Sequence, residues 1–158
     1  MQVNVTKRVF IGIPVGHEIK HILPQLKTSV KCHPNYIRWV PEPNLHLTLS
    51  FMGNISINII PDLINKLAQS TINNYFKIKI EGTGIFPTPI TPQVFWLGVS
   101  EGENKLSVLQ GNIEKSAMDY KNNKRKTKFT PHITIARSGK NPLKIDALPF
   151  LSTVYSPI

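Results

Sequence analysis

The sequence predicts an α+β fold in which two similar lobes, related by a pseudo-two-fold axis, share one cleft. Three observations predict it. Stretches of alternating apolar residues are interspersed with stretches whose apolar residues recur every three or four positions, so strands and helices follow one another along the chain. The order strand, helix, His-x-Thr strand occurs twice. Val9-Phe10 precedes His46 by 37 residues and Val94-Phe95 precedes His132 by 38, an internal echo that a single sheet with unrelated halves would not need.

The elements follow in order. Lys7 to Pro14 reads as a strand. From Gly16 to Val30, Ile19, Ile22, Leu23, Leu26 and Val30 form one helical face, and Pro24 within it should kink the helix or delay its start. Ile37 to Val40 is a short apolar piece ended by Pro41-Glu42-Pro43, and Asn44 to Phe51 is a strand closed by Gly53-Asn54. A second helix begins near Pro61, a residue suited to a first turn, with Leu63, Ile64 and Leu67 facing inward. Phe76, Ile78 and Ile80 alternate with charged residues as a half-buried strand, Gly82 to Pro92 reads as a loop, and Gln93 to Val99 as a buried strand. Leu106, Leu109, Ile113 and Ala117 outline a third helix. Lys121 to Lys128 is a basic loop, Phe129 to Arg137 a strand ended by Ser138-Gly139, and Leu148 to Tyr155 supplies one edge strand.

A chain of 158 residues is one domain, here spanning 1–158, and can bury roughly two-thirds of its unfolded surface without a disulfide or metal. Its single cysteine, Cys32, fits a reducing compartment. The first residues hold no apolar run of signal-peptide length, and no stretch approaches the ~18 apolar residues of a membrane span. The expectation is a cytoplasmic protein with no membrane partner. Nineteen Lys and Arg against nine Asp and Glu give a formal net charge of +10. Such an excess attracts polyanions, nucleic acid foremost; the plainer alternative is a solubilising basic surface.

His46-Leu47-Thr48-Leu49 and His132-Ile133-Thr134-Ile135 are the same word, His-x-Thr-x with x apolar. Alternate side chains of a strand share a face, so each word presents an imidazole and a hydroxyl on one side and sends two apolar residues into the core. Two such words meeting across a cleft suit the opening of a cyclic phosphate. One imidazole removes a proton from water, the other gives a proton to the departing sugar oxygen, and the hydroxyls bind the non-bridging oxygens. This chemistry needs no metal and no cofactor, and with few carboxylates and one cysteine no metal site is expected; His17 and His21, one helical turn apart, lack a third ligand.

The chain resembles the two-histidine (2H) phosphoesterases, and within them the RNA 2′,3′-cyclic phosphodiesterases, also called 2′-5′ RNA ligases. The resemblance runs through Arg8 to Pro14, Arg38-Trp39-Val40-Pro41, Asn44 to Gly53, Gly84-Ile85-Phe86-Pro87, Val94 to Val99 and Phe129 to Arg137. It implies antiparallel sheets lining a central groove, and hydrolysis of a 2′,3′-cyclic phosphate at an RNA 3′ end to a 2′-phosphate. It implies His46 as general acid and His132 as general base, with Thr48, Thr134 and Arg137 on the phosphate and RNA as partner; a monomer is expected. The same motifs also serve related enzymes on 2′-5′ linkages or small cyclic nucleotides, and the fold with its charge would suit a non-catalytic RNA-binding module.

Two departures stand out. Ser50 takes a place where a basic residue often follows the first motif, and the chain beyond Gly139 does not match the family's closing strands. Strict alternation also sets Arg137 on the face opposite His132, so it reaches the phosphate only if the strand bends; otherwise it is a surface charge. The run Lys121, Lys124, Arg125, Lys126 and Lys128 either flanks the cleft or forms a solvated loop. Phe51, Phe129 and Trp39 suit base stacking, with core packing as the simpler role for each.

Overall fold

The computed structural model describes residues 5–30, 37–70, 75–87, 93–122 and 128–138, and the backbone of 152–155. Cys32, His33, Lys124, Arg125, Lys126 and Gly139 lie outside the described residues. The elements are β1 (Thr6–Pro14), α1 (Gly16–Ile19), α2 (Leu23–Ser29), β2 (Ile37–Trp39), β3 (His46–Ser56), α3 (Ile60–Ser70), β4 (Ile78–Phe86), β5 (Val94–Glu101), α4 (Glu103–Ala117), β6 (His132–Ser138) and β7 (Ser152–Tyr155). The chain is α+β. Its strands form one connected seven-stranded sheet in the order β1-β3-β6-β5-β4-β7, with β2 beside β6, and every pairing is antiparallel. Where two sheets were expected, β3 and β6 join the halves through one residue pair, Leu47 with Ile133.

The helices form where apolar spacing demands burial. The expected first helix divides into α1 and α2, and Pro24 stands in the first turn of α2, where its missing N–H leaves no bond unmade. Ile19 and Leu26 from these helices join Leu47, Phe95, Leu97 and Ile133 of the strands and Leu106 and Ile113 of α4 in the main core. A smaller cluster, Met52, Ile55, Leu63 and Ala117, fastens α3 and α4 to β3. Leu63 is buried as expected of α3, whereas Ile64, expected inward, lies open to solvent, because α3 presents only a narrow stripe to its neighbours. Among the described residues no helix is long and apolar enough to cross a membrane.

Two glycines extend strands that the sequence seemed to end. Gly53 has a φ of 76°, a left-handed conformation open to glycine, and β3 continues through it to Ser56. Gly82 also has a φ of 76°, and it sits at a register shift that lets β4 run on to Phe86 where a loop was expected. The predicted C-terminal edge strand appears as β7, paired along β4 at the rim of the sheet.

Candidate active site

Both His-x-Thr words begin a strand, and both obey the expected alternation. In β3, Leu47 and Leu49 are buried while His46 and Thr48 are half-buried; in β6, Ile133 and Ile135 are buried while His132 and Thr134 are half-buried. The Leu47–Ile133 pair fixes how the words meet. Extending this antiparallel register by one residue each way sets His46 opposite Thr134 and Thr48 opposite His132, all on the face away from the core. The imidazoles are then diagonal neighbours on one face, with roughly 7–8 Å between their strand positions, enough for a phosphate between the ring tips.

Each imidazole is anchored in the same way. His46 Nδ1–H donates to the carbonyl of Asn44 at 2.7 Å, and His132 Nδ1–H donates to the carbonyl of Thr130 at 2.7 Å. A carbonyl only accepts, so Nδ1 carries the hydrogen in both rings and Nε2 is the free end. The ring walls differ. Phe10, from β1, stacks on His46 with centroids 4.3 Å apart. His132 meets the edges of Phe86 at 5.0 Å and Trp96 at 6.1 Å. The indole of Trp96 lies directly over Gly84, its partner across β4–β5.

The bend that Arg137 requires is present. The β5–β6 register runs Gly98–His132, Leu97–Ile133, Trp96–Thr134, then Phe95–Ala136 and Val94–Arg137, so Ile135 is an extra residue with no partner on β5. Ile135 and Ala136 are consecutive buried residues, and this bulge returns Arg137, exposed, to the face of His132 and Thr134. β3 does the same: Pro14–His46, Ile13–Leu47 and Gly12–Thr48 are followed by Ile11–Ser50 and Phe10–Phe51, which leaves Leu49 as the extra residue. Ser50 is therefore buried, 2% exposed, and a basic side chain there would not reach the site face. Phe51 takes the place that Arg137 has in β6, and at 62% exposure it is not a core residue.

The other expectations divide. Trp39 packs edge-on to Phe95 at 6.3 Å, and Phe129 packs against the main core, each half-buried. Lys121 donates to both carboxylate oxygens of Glu114, at 2.6 and 2.5 Å, which ties it to α4 and away from any bound polyanion. Lys128 is exposed. Sequence reasoning missed Phe10 as the wall behind His46, and it missed Arg38, which stands directly opposite Arg137 across β2–β6. The signal for Phe10 was its place in the strand paired with the first motif; Arg38 stood inside a recognised stretch without an assigned role. Among the described residues, no carboxylate pairs with His46, His132, Arg38 or Arg137.

Residues 13–96 match the family described as LigT-like phosphoesterase. The chain is 35% identical over 135 residues to the RNA 2′,3′-cyclic phosphodiesterase of Aquifex aeolicus, covering 82% of this chain and 70% of that protein. It is 29% identical over 153 residues to the protein of the same name from Geobacillus stearothermophilus, covering 93% of this chain and about half, 48%, of the relative's length. Among solved structures, E. coli LigT complexed with 3′-AMP superimposes with a TM-score of 0.78 at 23% identity, covering 97% of this chain and 84% of that one. This last likeness is one of fold.

Proposed function

The chain belongs to the LigT-like phosphoesterase family, and from that premise we propose that it hydrolyses the 2′,3′-cyclic phosphate at an RNA 3′ end to a 2′-phosphate, with His46 and His132 as its acid–base pair. One observation carries the reading: two imidazoles, each with Nδ1 tied to the carbonyl two residues upstream, occupy neighbouring strands on one face of the sheet with Nε2 free. The names of the relatives supply the substrate class, and the formal charge of +10 agrees with it.

The step balances without a metal. His132, neutral, takes a proton from water through Nε2 as the water oxygen bonds to phosphorus. The bond from phosphorus to O3′ breaks, and His46, protonated at Nε2, returns a proton to O3′. The 2′ ester survives, and proton exchange with solvent returns His46 to its protonated form and His132 to its neutral form before the next turnover. Thr48 and Thr134 donate hydroxyl hydrogens to the non-bridging oxygens, and Arg137, brought round by the bulge, adds positive charge where negative charge builds. The enzyme works as a monomer, with RNA as its partner and no cofactor.

The test is an oligonucleotide ending in a 2′,3′-cyclic phosphate, incubated with protein and chelator, and the product identified. A 2′-phosphate from the parent protein, and rates lowered ~10²–10⁴-fold in His46→Ala and His132→Ala, are expected. Absence of turnover, or full activity in both variants, overturns the proposal. The parent rate should trace a bell-shaped pH profile, and each variant should lose one limb. A diester with a p-nitrophenolate leaving group needs no acid, so it should rescue His46→Ala and not His132→Ala; the opposite rescue reverses the two roles.

A further inference from the structure

We propose that Arg38 holds the backbone phosphate next to the reacting one, so that the site prefers an RNA end to a free cyclic mononucleotide. This rests on the phosphodiesterase reading above and adds a residue to it. Ile37 of β2 is buried and Trp39 packs on Phe95 in the core, so alternation sends Arg38, exposed, to the opposite face. Its Cα partner is Arg137, which the β6 bulge has turned to the same face as the histidines. Two guanidinium-bearing residues therefore stand side by side at the edge of the site.

Like charges directly opposite each other in an antiparallel pair are destabilising. Among the described residues no carboxylate relieves this pair, and the side-chain hydrogen bond of Arg38 runs from Nη2 to the carbonyl of Ser138 at 3.2 Å. A guanidinium has five N–H donors, and the bond to Ser138 engages one group of that fork. An anion shared by the two arginines turns the repulsion into a gain, and phosphate is the anion that their planar forks fit.

Position identifies which phosphate. The β6 bulge sets Arg137 two β5 positions beyond Thr134, roughly 7 Å along the sheet, so its long side chain reaches back to a phosphate seated between the histidines, whereas the bond to Ser138 draws Arg38 to the far side of that step. That phosphate does not extend to Arg38, but the sugar-phosphate chain leading to it does. The cyclic phosphate is the 3′ end of the RNA, so the next phosphate belongs to the 5′ oxygen of the same nucleotide. A cyclic mononucleotide with a free 5′-hydroxyl lacks it.

The experiment compares the parent with Arg38→Gln on three substrates: a 2′,3′-cyclic mononucleotide with a free 5′-hydroxyl, the same nucleotide with a 5′-phosphate, and a short oligonucleotide ending in the cyclic phosphate. The expected result is a KM about tenfold higher for the second and third, the loss of one charge-assisted contact, with kcat unchanged and the first substrate unaffected. The salt slope of log kcat/KM on the oligonucleotide should become shallower by about 0.7, the share of one phosphate on a single strand. Arg38→Lys should restore the salt slope while recovering only part of KM, because it returns the charge without the fork. The melting temperature of Arg38→Gln should not fall, since a like-charge neighbour has been removed. An equal loss on all three substrates, or no loss on any, overturns the inference. If the parent turns over none of the three, the phosphodiesterase reading itself fails and takes this one with it.

Discussion

The strands β3 and β6 carry the same word, the same carbonyl anchor and the same bulge, yet they end in opposite chemistry. After His46 and Thr48 the bulge at Leu49 delivers an exposed phenyl ring, Phe51; after His132 and Thr134 the bulge at Ile135 delivers an exposed guanidinium, Arg137. The backings differ in the same sense. His46 lies flat against Phe10, while His132 stands in an edge-on corner of Phe86 and Trp96. On the proposed mechanism, the shared features concern proton transfer and the unshared ones what surrounds it. A repeated frame thus keeps its anchored imidazoles alike and lets its surroundings diverge, so that one side of the face is apolar and the other cationic.

The comparison can be broken at its weakest joint. Gly84→Ala places a Cβ against the Trp96 ring where no room is left for it, so the indole must leave its seat and the corner behind His132 opens. A loss of ~1–3 kcal/mol in urea unfolding is expected, as for an overpacked core, together with a lower rate in the proposed reaction, where His132 acts. Unchanged stability would show that Trp96 is not fixed by Gly84. Phe10→Ala removes the stack on His46 and should cost ~0.5–1.5 kcal/mol in stability, with a rise in the scatter of the His46 ring visible in its NMR line shape. If His46 keeps its sharp signal, the carbonyl anchor alone positions the ring. Phe51→Ala should change thermal stability least, within ~0.5 kcal/mol, because the ring is mostly in solvent. A larger loss would mean that Phe51 packs, and the contrast with Arg137 would be one of burial rather than chemistry.

A further check lies outside the two motifs. Tyr120 donates to Asp62 Oδ2 at 2.5 Å, and this hydrogen bond to a carboxylate raises the phenol above its ordinary pKa. The folded state then holds the phenolic proton more tightly than the unfolded chain, so the contribution is present below the ordinary tyrosine range and fades as the pH climbs above it. Tyr120→Phe should flatten the alkaline fall of the melting temperature; an unaltered fall would assign it to other groups.

Much of this was legible in the sequence for a physical reason: apolar periodicity dictates which face is buried, and both His-x-Thr words declare it plainly. The internal echo was informative but one residue out of step. Val9-Phe10 and Val94-Phe95 look equivalent as letters, yet the register equates Phe10 with Val94, since both lie opposite the residue just past a bulge, Phe51 and Arg137. A slip of one residue in a strand exchanges its faces, which is why Phe10 is 47% exposed while Phe95 is fully buried. Bulges leave no mark in composition, so neither the escape of Phe51 to the surface nor the return of Arg137 to the site face could be read from alternation. Glycine misled in the other direction. Gly53, Gly82 and Gly84 signal a break in the chain, but here they serve strands, two by bending them and one by making room for a ring.

The acceptors that hold the two imidazoles are main-chain carbonyls, those of Asn44 and Thr130. No codon encodes them, because every amino acid at either position brings the same oxygen. An alanine scan would pass over both and score a decisive contact as silent; only a chemical edit of the backbone, such as an ester in place of the Asn44–Leu45 amide, would weaken one of them. Tautomer choice at His46 and His132 is therefore shielded from ordinary mutation, and the side chains around the two rings can change while the anchors stay as they are.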